Sequence, residues 1–249
     1  MAGHSKFANI KHRKGAQDKK RAKVFNKIAR EITVAAKMGM PDPAMNPRLR
    51  LAIQNARGVN MPKDRIDRAI KVASEAGQGD DYETIRYEGY GPGGAALVVE
   101  ALTDNRNRTA GDVRTAFSKN GGNMGETNSV SFMFDHIGEI TYPADTASAD
   151  DMFEAGVEAG AQNVESDEDM HYVETAFDDF ASVQDTLIEK YGEPESGKLI
   201  WKPNVMSTPS DDQARTLFKL IEALEDNDDV QDVFVNYEFD EALLDEMDA

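Results

Sequence analysis

Cysteine is absent from the 249 residues. That excludes disulfide frameworks, thiolate zinc sites, iron–sulfur clusters and thiol nucleophiles, and it fits a reducing compartment. Long apolar runs are missing too. The longest stretch without a charged side chain, Gly89 to Val99, has 11 residues, four of them glycine, far short of the ~18 apolar residues that a membrane helix needs. The opening MAGHSKFANI lacks the apolar core of a signal peptide, so a soluble cytoplasmic protein without membrane partners is expected. The four histidines (His4, His12, His136, His171) show no metal-ligand spacing. No metal site or cofactor is expected. What remains is ordinary globular material, 40% apolar, long enough for one large domain or two to three small ones at roughly 100–200 residues each.

The net charge of −18 argues at first against a polyanionic partner, but it is the sum of two unlike parts. Residues 1–75 carry 18 Lys and Arg against 6 Asp and Glu; residues 76–249 carry 10 against 40, and nothing basic follows Lys219. A basic segment attached to an acidic body is a pointer to a nucleic-acid-binding module. The competing explanation is that these are merely solvated faces or, for the run between Lys6 and Lys23, a basic tail folded on the chain's own acidic lobes.

The basic part reads as helical. Phe25, Ile28, Ile32 and Ala35 recur at helical spacing between Arg21 and Met38 and span an arc of roughly 80°, while Lys20, Lys23, Lys27, Arg30 and Lys37 occupy the opposite side. Gly39 and the prolines of MPDPAMNP end that helix. Asn46 caps a second, opened by Pro47, which carries Leu49, Ile53 and Ala56 inward and stops at Gly58. A third starts near Pro62 and buries Ile66, Ala69, Ile70 and Ala73. The linker AGQGDD closes this first domain, residues 1–76.

Beyond it strands and helices alternate. Strands are expected at 82–88, 95–103, 129–134, 136–143, 169–176, 197–206 and 230–237, and helices at 109–119, 148–160, 180–191 and 211–225. If AQNVES (161–166) supplies one more strand, 136–206 has the strand and helix order of a ferredoxin-like unit. The last helix and strand then lack partners of their own and return to the elements of 80–134. The expected fold is thus a multidomain α and α+β chain. A helical N-terminal domain precedes two α+β lobes, 77–134 with 207–249 and an inserted, ferredoxin-like 135–206.

The densest chemical signal is GHSKFANIKHRKGAQDKKRAK. Lys6, Lys11, Arg13, Lys14, Lys19, Lys20 and Lys23 can each neutralise a phosphate and release a counterion. His12 adds a hydrogen-bonding group, Phe7 offers a ring for stacking on an unpaired base, and Lys27 and Arg30 extend the cationic side of the first helix. The other motifs are weaker. Gly89, Gly91 and Gly94 match G-x-G-x-x-G, but a strand follows them instead of a helix, which favours a tight strand connection with Pro92 fixing φ. In TDNRNRT, Arg106 and Arg108 at a helix start either hold an anion or pair with nearby carboxylates. GGNMGE reads as a flexible connector. Arg48, Arg50 and Arg57 need not share one face, and a binding role and a merely solvated surface stand about equal for them. No nucleophile or carboxylate spacing marks an enzyme.

GHSKFANIKHRK, NPRLRLAI, MPKDRIDRAI, YEGYGPGG, LTDNRNRT, FSKNGGNMG and IEALEDNDDVQDVFVN, in this order along the chain, resemble the YebC family. That family includes bacterial proteins described as transcriptional regulators and a mitochondrial relative that activates translation. The resemblance implies a three-domain monomer that binds nucleic acid in the cytoplasm without catalysis. By position, the family's basic block falls on Lys6, Lys11, His12, Arg13 and Lys14. The family usually has tryptophan where this chain has Phe7, which keeps a stacking ring and loses the indole N–H. Two functions follow from the resemblance: a DNA-binding transcriptional regulator, or a ribosome-associated translation factor that binds ribosomal RNA.

Overall fold

A computed structural model describes residues 17–75, 82–240 and 242–244 of the chain. Among the described residues the N-terminal module has three helices, α1 (Gln17–Met38), α2 (Pro47–Gly58) and α3 (Lys63–Glu75). The apolar positions that recur at helical spacing meet in one core of Phe25, Ile32, Ala35, Leu49, Ile53, Ala56, Ile66, Ala69 and Ala73, with Ile28 and Ile70 at its margin. Asn46 performs two tasks at the α1–α2 corner. Its Oδ1 accepts from the Leu49 N–H at 3.1 Å, and its Nδ2 donates to the carbonyls of Ala35 and Met40 at 2.8 and 2.9 Å, so one buried side chain closes the end of α1 and opens α2.

Eight strands follow, in two antiparallel four-stranded sheets. Sheet A contains β1 (Glu83–Tyr90), β2 (Ala96–Thr103), β3 (Asn123–Met124) and β8 (Val230–Val235) in the order β3-β1-β2-β8. Sheet B contains β4 (Phe134–Pro143), β5 (Asn163–Ser166), β6 (Met170–Ala176) and β7 (Ser196–Pro203) in the order β5-β6-β4-β7. With α5 (Ala149–Ala159) after β4 and α6 (Phe180–Tyr191) after β6, sheet B is the ferredoxin-like unit read from the strand and helix order. Sheet A is covered on one face by α4 (Arg106–Lys119) and α7 (Asp211–Glu225), which bury Val113, Phe117, Leu217, Leu220 and Leu224 against Leu97, Val99 and Val233. Strand β8 pairs with β2, so the strand that follows sheet B completes the sheet that precedes it.

Strand β2 explains how the lobes meet. Its Leu97 and Val99 face the helices, and the alternate residues Ala96 and Val98 pack with Val130, Phe134 and Trp201. Both faces are buried, which is why AALVVEALT is an unbroken apolar run except at Glu100. Glu100 lies on the lobe-facing side, where Trp201 Nε1 donates to its carboxylate at 2.9 Å; burial pushes its pKa up, partly opposed by that bond.

Two details of the sheets' connections depart from the sequence reading. Residues 129–133 do not form a strand; Ser131–Met133 is a turn of 3₁₀ helix and β4 begins at Phe134. The cause is Glu88 of β1, 1% exposed, whose carboxylate accepts from the N–H groups of Asn128, Val130 and Ser131 at 3.0, 2.9 and 2.9 Å, donors that a strand would have given to a neighbour. The connector GGNMGE also contributes β3, paired with β1 through Met124 opposite Gly89 and Asn123 opposite Tyr90. A Cβ at Gly89 would lie 2.6 Å from the Asn123 carbonyl. The glycine motif is therefore a strand connection: Pro92 opens a 3₁₀ turn, and Gly93 and Gly94 take φ of 71° and 75°.

Candidate nucleic-acid interface

The expected interface residues fall into two groups. Lys6, Phe7, Lys11, His12, Arg13 and Lys14 lie outside the described residues, and Lys19 and Lys20 are described only as backbone of α1. Lys23, Lys27 and Arg30, one helical turn apart on α1, are described fully, and all three touch the acidic body. Lys23 Nζ lies 2.5 Å from Asp226 Oδ1. Lys27 Nζ donates to the Glu225 carbonyl at the C-terminal end of α7 at 2.8 Å, where the helix dipole favours a cation. Arg30 Nη1 donates to Asp229 Oδ1 at 2.7 Å and to the Asp228 carbonyl at 2.9 Å, and its guanidinium lies over the Tyr82 ring. The cationic side of α1 thus rests on the acidic segment Glu225–Asp229.

Asp229 is the centre of that contact. It is 5% exposed. Oδ2 accepts from Arg108 Nη2 at 2.7 Å, Thr109 Oγ1 at 2.7 Å and Thr103 Oγ1 at 3.2 Å, while Oδ1 takes Arg30. Burial opposes its ionisation, but the bonds from Arg108, Thr109 and Arg30 outweigh it and hold the carboxyl below the usual range. Arg108 also pairs with Asp104 at 2.8 Å. At Arg108 the TDNRNRT segment thus follows the carboxylate-pairing alternative; Asn105 caps α4 by accepting from the Arg108 N–H, and the helix begins at Arg106, three residues earlier than its apolar spacing indicates.

Helix α2 is turned toward sheet B. Gln54 donates to Glu193 and accepts from Gln184 at 3.3 Å, Asn55 accepts from the Gly197 N–H at 3.4 Å, and Leu51 packs into the sheet B core. Arg48 clasps Glu31 through two bonds of 2.7 and 3.1 Å, and Arg50 reaches Asp185 at 3.5 Å. The module's open side is the groove between α1 and α3, about 610 Å³, whose lining includes Thr33, Arg65, Arg68 and Val72. Arg65 stacks on Phe25 and donates to Asn26 at 2.6 Å; Arg68 is exposed. Neither arginine was singled out by sequence reading. Part of the signal was there: in KDRIDRAI Arg65 precedes the buried Ile66 and lies at the edge of its stripe, while Arg68 falls on the exposed side.

The histidines within the described residues have structural surroundings. His171 is buried, with Nδ1 2.7 Å from Ser166 Oγ and Nε2 3.0 Å from the Ala147 carbonyl. His136 stacks on Trp201 with ring centroids 4.2 Å apart and an interplanar angle of 2°; burial first and the Arg86 charge second hold its pKa below the ordinary histidine value. No cluster of three metal-ligating side chains, and no helix long and apolar enough to cross a membrane, occurs among the described residues.

A basic helical module joined to two antiparallel α+β lobes, the second set within the first, defines the class of protein. Residues 5–76 match the family model described as the TACO1/YebC protein N-terminal domain, and residues 82–237 match that of the TACO1/YebC second and third domain. The chain belongs to the TACO1/YebC family. It is also similar to the crystal structure of a conserved hypothetical protein from Aquifex aeolicus, with 42% identity and a TM-score of 0.80 over 93% of this chain and 96% of that one. The label on the second and third domains is that of transcription regulation and names no reaction.

Proposed function

We propose that the protein is a non-enzymatic, cytoplasmic regulator of gene expression that binds DNA as a monomer through its N-terminal module, residues 1–76. The observation that carries this reading is the charge division: 18 basic against 6 acidic side chains in residues 1–75, eight of the basic ones lying between Lys6 and Lys23. The regulatory family label supports the transcriptional form. The basic run ahead of α1 makes the phosphate contacts, and Arg65 and Arg68 at the α1–α3 groove extend them.

A second reading is favoured by one observation. Helix α2 is occupied by sheet B and the cationic face of α1 by the acidic segment, which leaves neither helix open to lie in a major groove. That arrangement suits phosphate and single-strand contacts on structured ribosomal RNA, with the protein acting on the ribosome as a translation factor.

Fluorescence anisotropy of the full chain against duplex DNA and against a ribosomal RNA fragment, at several salt concentrations, tests both readings. Changing Lys11, Arg13 and Lys14 together to Ala is expected to lower affinity and to reduce the slope of log K against log salt by roughly 2–3. Unchanged affinity and slope on both polymers would remove the N-terminal assignment; a loss on RNA alone selects the ribosomal reading.

A further inference from the structure

The seam between the lobes opens into a groove of about 690 Å³ with an unusual lining. Four planar groups form a tier: the Arg86 guanidinium 4.7 Å from the Trp201 ring centroid, Trp201 stacked on His136, and His136 4.6 Å from Phe177. The inner members are held. Arg86 is paired with buried Glu88 at 2.9 Å and donates to Asn128 at 2.9 Å, so its charge is balanced within the fold. The outer members are not covered by the protein: Phe177 is 46% exposed and Phe132 is 67% exposed. Exposed aromatic rings lining one concave surface with polar neighbours mark an interaction site.

The charge around the groove selects the partner. Asp135 lines it and is exposed, and the turn that carries Phe177 continues with Asp178 and Asp179, both exposed. The lobe of residues 134–203 holds 18 acidic and 3 basic side chains. A phosphodiester would be repelled there, whereas a guanidinium can stack on a phenylalanine ring and pair with a carboxylate at once. We propose that the Phe132–Phe177 groove is a docking site for an arginine-containing segment of a basic protein. It is separate from the nucleic-acid-binding reading and uses the opposite charge of the molecule.

Trp201 is the chain's one tryptophan, and its fluorescence reports on this tier. The test titrates the full chain with a synthetic peptide of alternating arginine and glycine, and in parallel with oligouridine. The peptide is expected to change Trp201 emission saturably, and Phe132→Ala with Phe177→Ala to weaken it about tenfold, the effect of two exposed cation–π contacts. Should the double variant fold poorly, Asp135→Lys at an exposed position is expected to weaken the peptide in the same direction. The Lys11, Arg13 and Lys14 triple variant should bind the peptide as well as the parent. Peptide affinity unmoved by the groove substitutions, or an emission change with oligouridine and none with the peptide, would overturn the proposal.

Discussion

Two of the molecule's seams differ in chemistry. Where the helical module meets the sheet A lobe, the described contacts between Lys23, Lys27, Arg30 and the segment Glu225–Asp229 are ion pairs and charge-assisted hydrogen bonds, partly open to water. Where the lobes meet each other, Ala96, Val98, Val130, Phe134 and Trp201 form an apolar cluster. The first kind of contact weakens in salt and gives way to a competing polyanion; the second is nearly indifferent to both. A regulator that grips nucleic acid through its basic module gains from such a division. On the nucleic-acid-binding reading proposed above, the cationic side of α1 would exchange carboxylates for phosphates while α2 keeps its contacts with sheet B and the two lobes stay fixed.

The comparison is sharpened first at Trp201. Trp201→Ala removes the largest side chain of the apolar seam and leaves Glu100 without its indole donor, and is expected to cost about 3–5 kcal/mol in urea unfolding. A loss of less than about 1 kcal/mol would show that the cluster is not what joins the lobes.

Asp229→Ala strands Arg30, Arg108 and Thr109 and is expected to cost about 2–3 kcal/mol. Its pH dependence has a definite sign. The folded-state pKa of Asp229 is depressed, so its stabilisation is complete above the unfolded value of about 3.9 and is lost as pH falls through the folded one. Melting curves of Asp229→Asn should therefore run flatter than those of the parent below about pH 4. Parallel curves would mean that the carboxylate is not the source of the stability.

The smallest effect is expected at Lys23→Ala. Its partner Asp226 is 73% exposed, and an exposed pair contributes roughly 0–1 kcal/mol, vanishing in high salt. Melting temperatures of variant and parent at low and high salt measure it; a difference that persists at high salt would place Lys23 in the fixed part of the molecule.

The difference between the seams also marks what the sequence discloses. The module's helices were legible because Phe25, Ile32, Leu49, Ile53, Ile66 and Ala73 follow local helical spacing, and local spacing decides which face is buried. The charged side of α1 was legible as charged but not as occupied. The partners of Lys23 and Arg30 stand 203 and 199 residues away, and nothing in a lysine's surroundings along the chain says whether its counter-ion is a carboxylate or a phosphate. Residues 129–133 failed for the same reason: VSFM has strand composition, and Glu88, a residue of another strand, takes its N–H groups. The basic run from Lys6 to Lys14 stays an expectation from composition and resemblance, since it lies outside the described residues.

The return of β8 to β2 has a consequence for synthesis. A chain made from its N-terminus has all of sheet B once residue 203 has emerged, while sheet A lacks its fourth strand until residue 235. The loop that this pairing closes is among the longest in the fold, and such closures come late. Segment Glu225–Asp229 arrives in that same final step. Throughout elongation, then, Lys23, Lys27 and Arg30 are present without their partners in this segment, and the nascent chain is at its most cationic before it is complete.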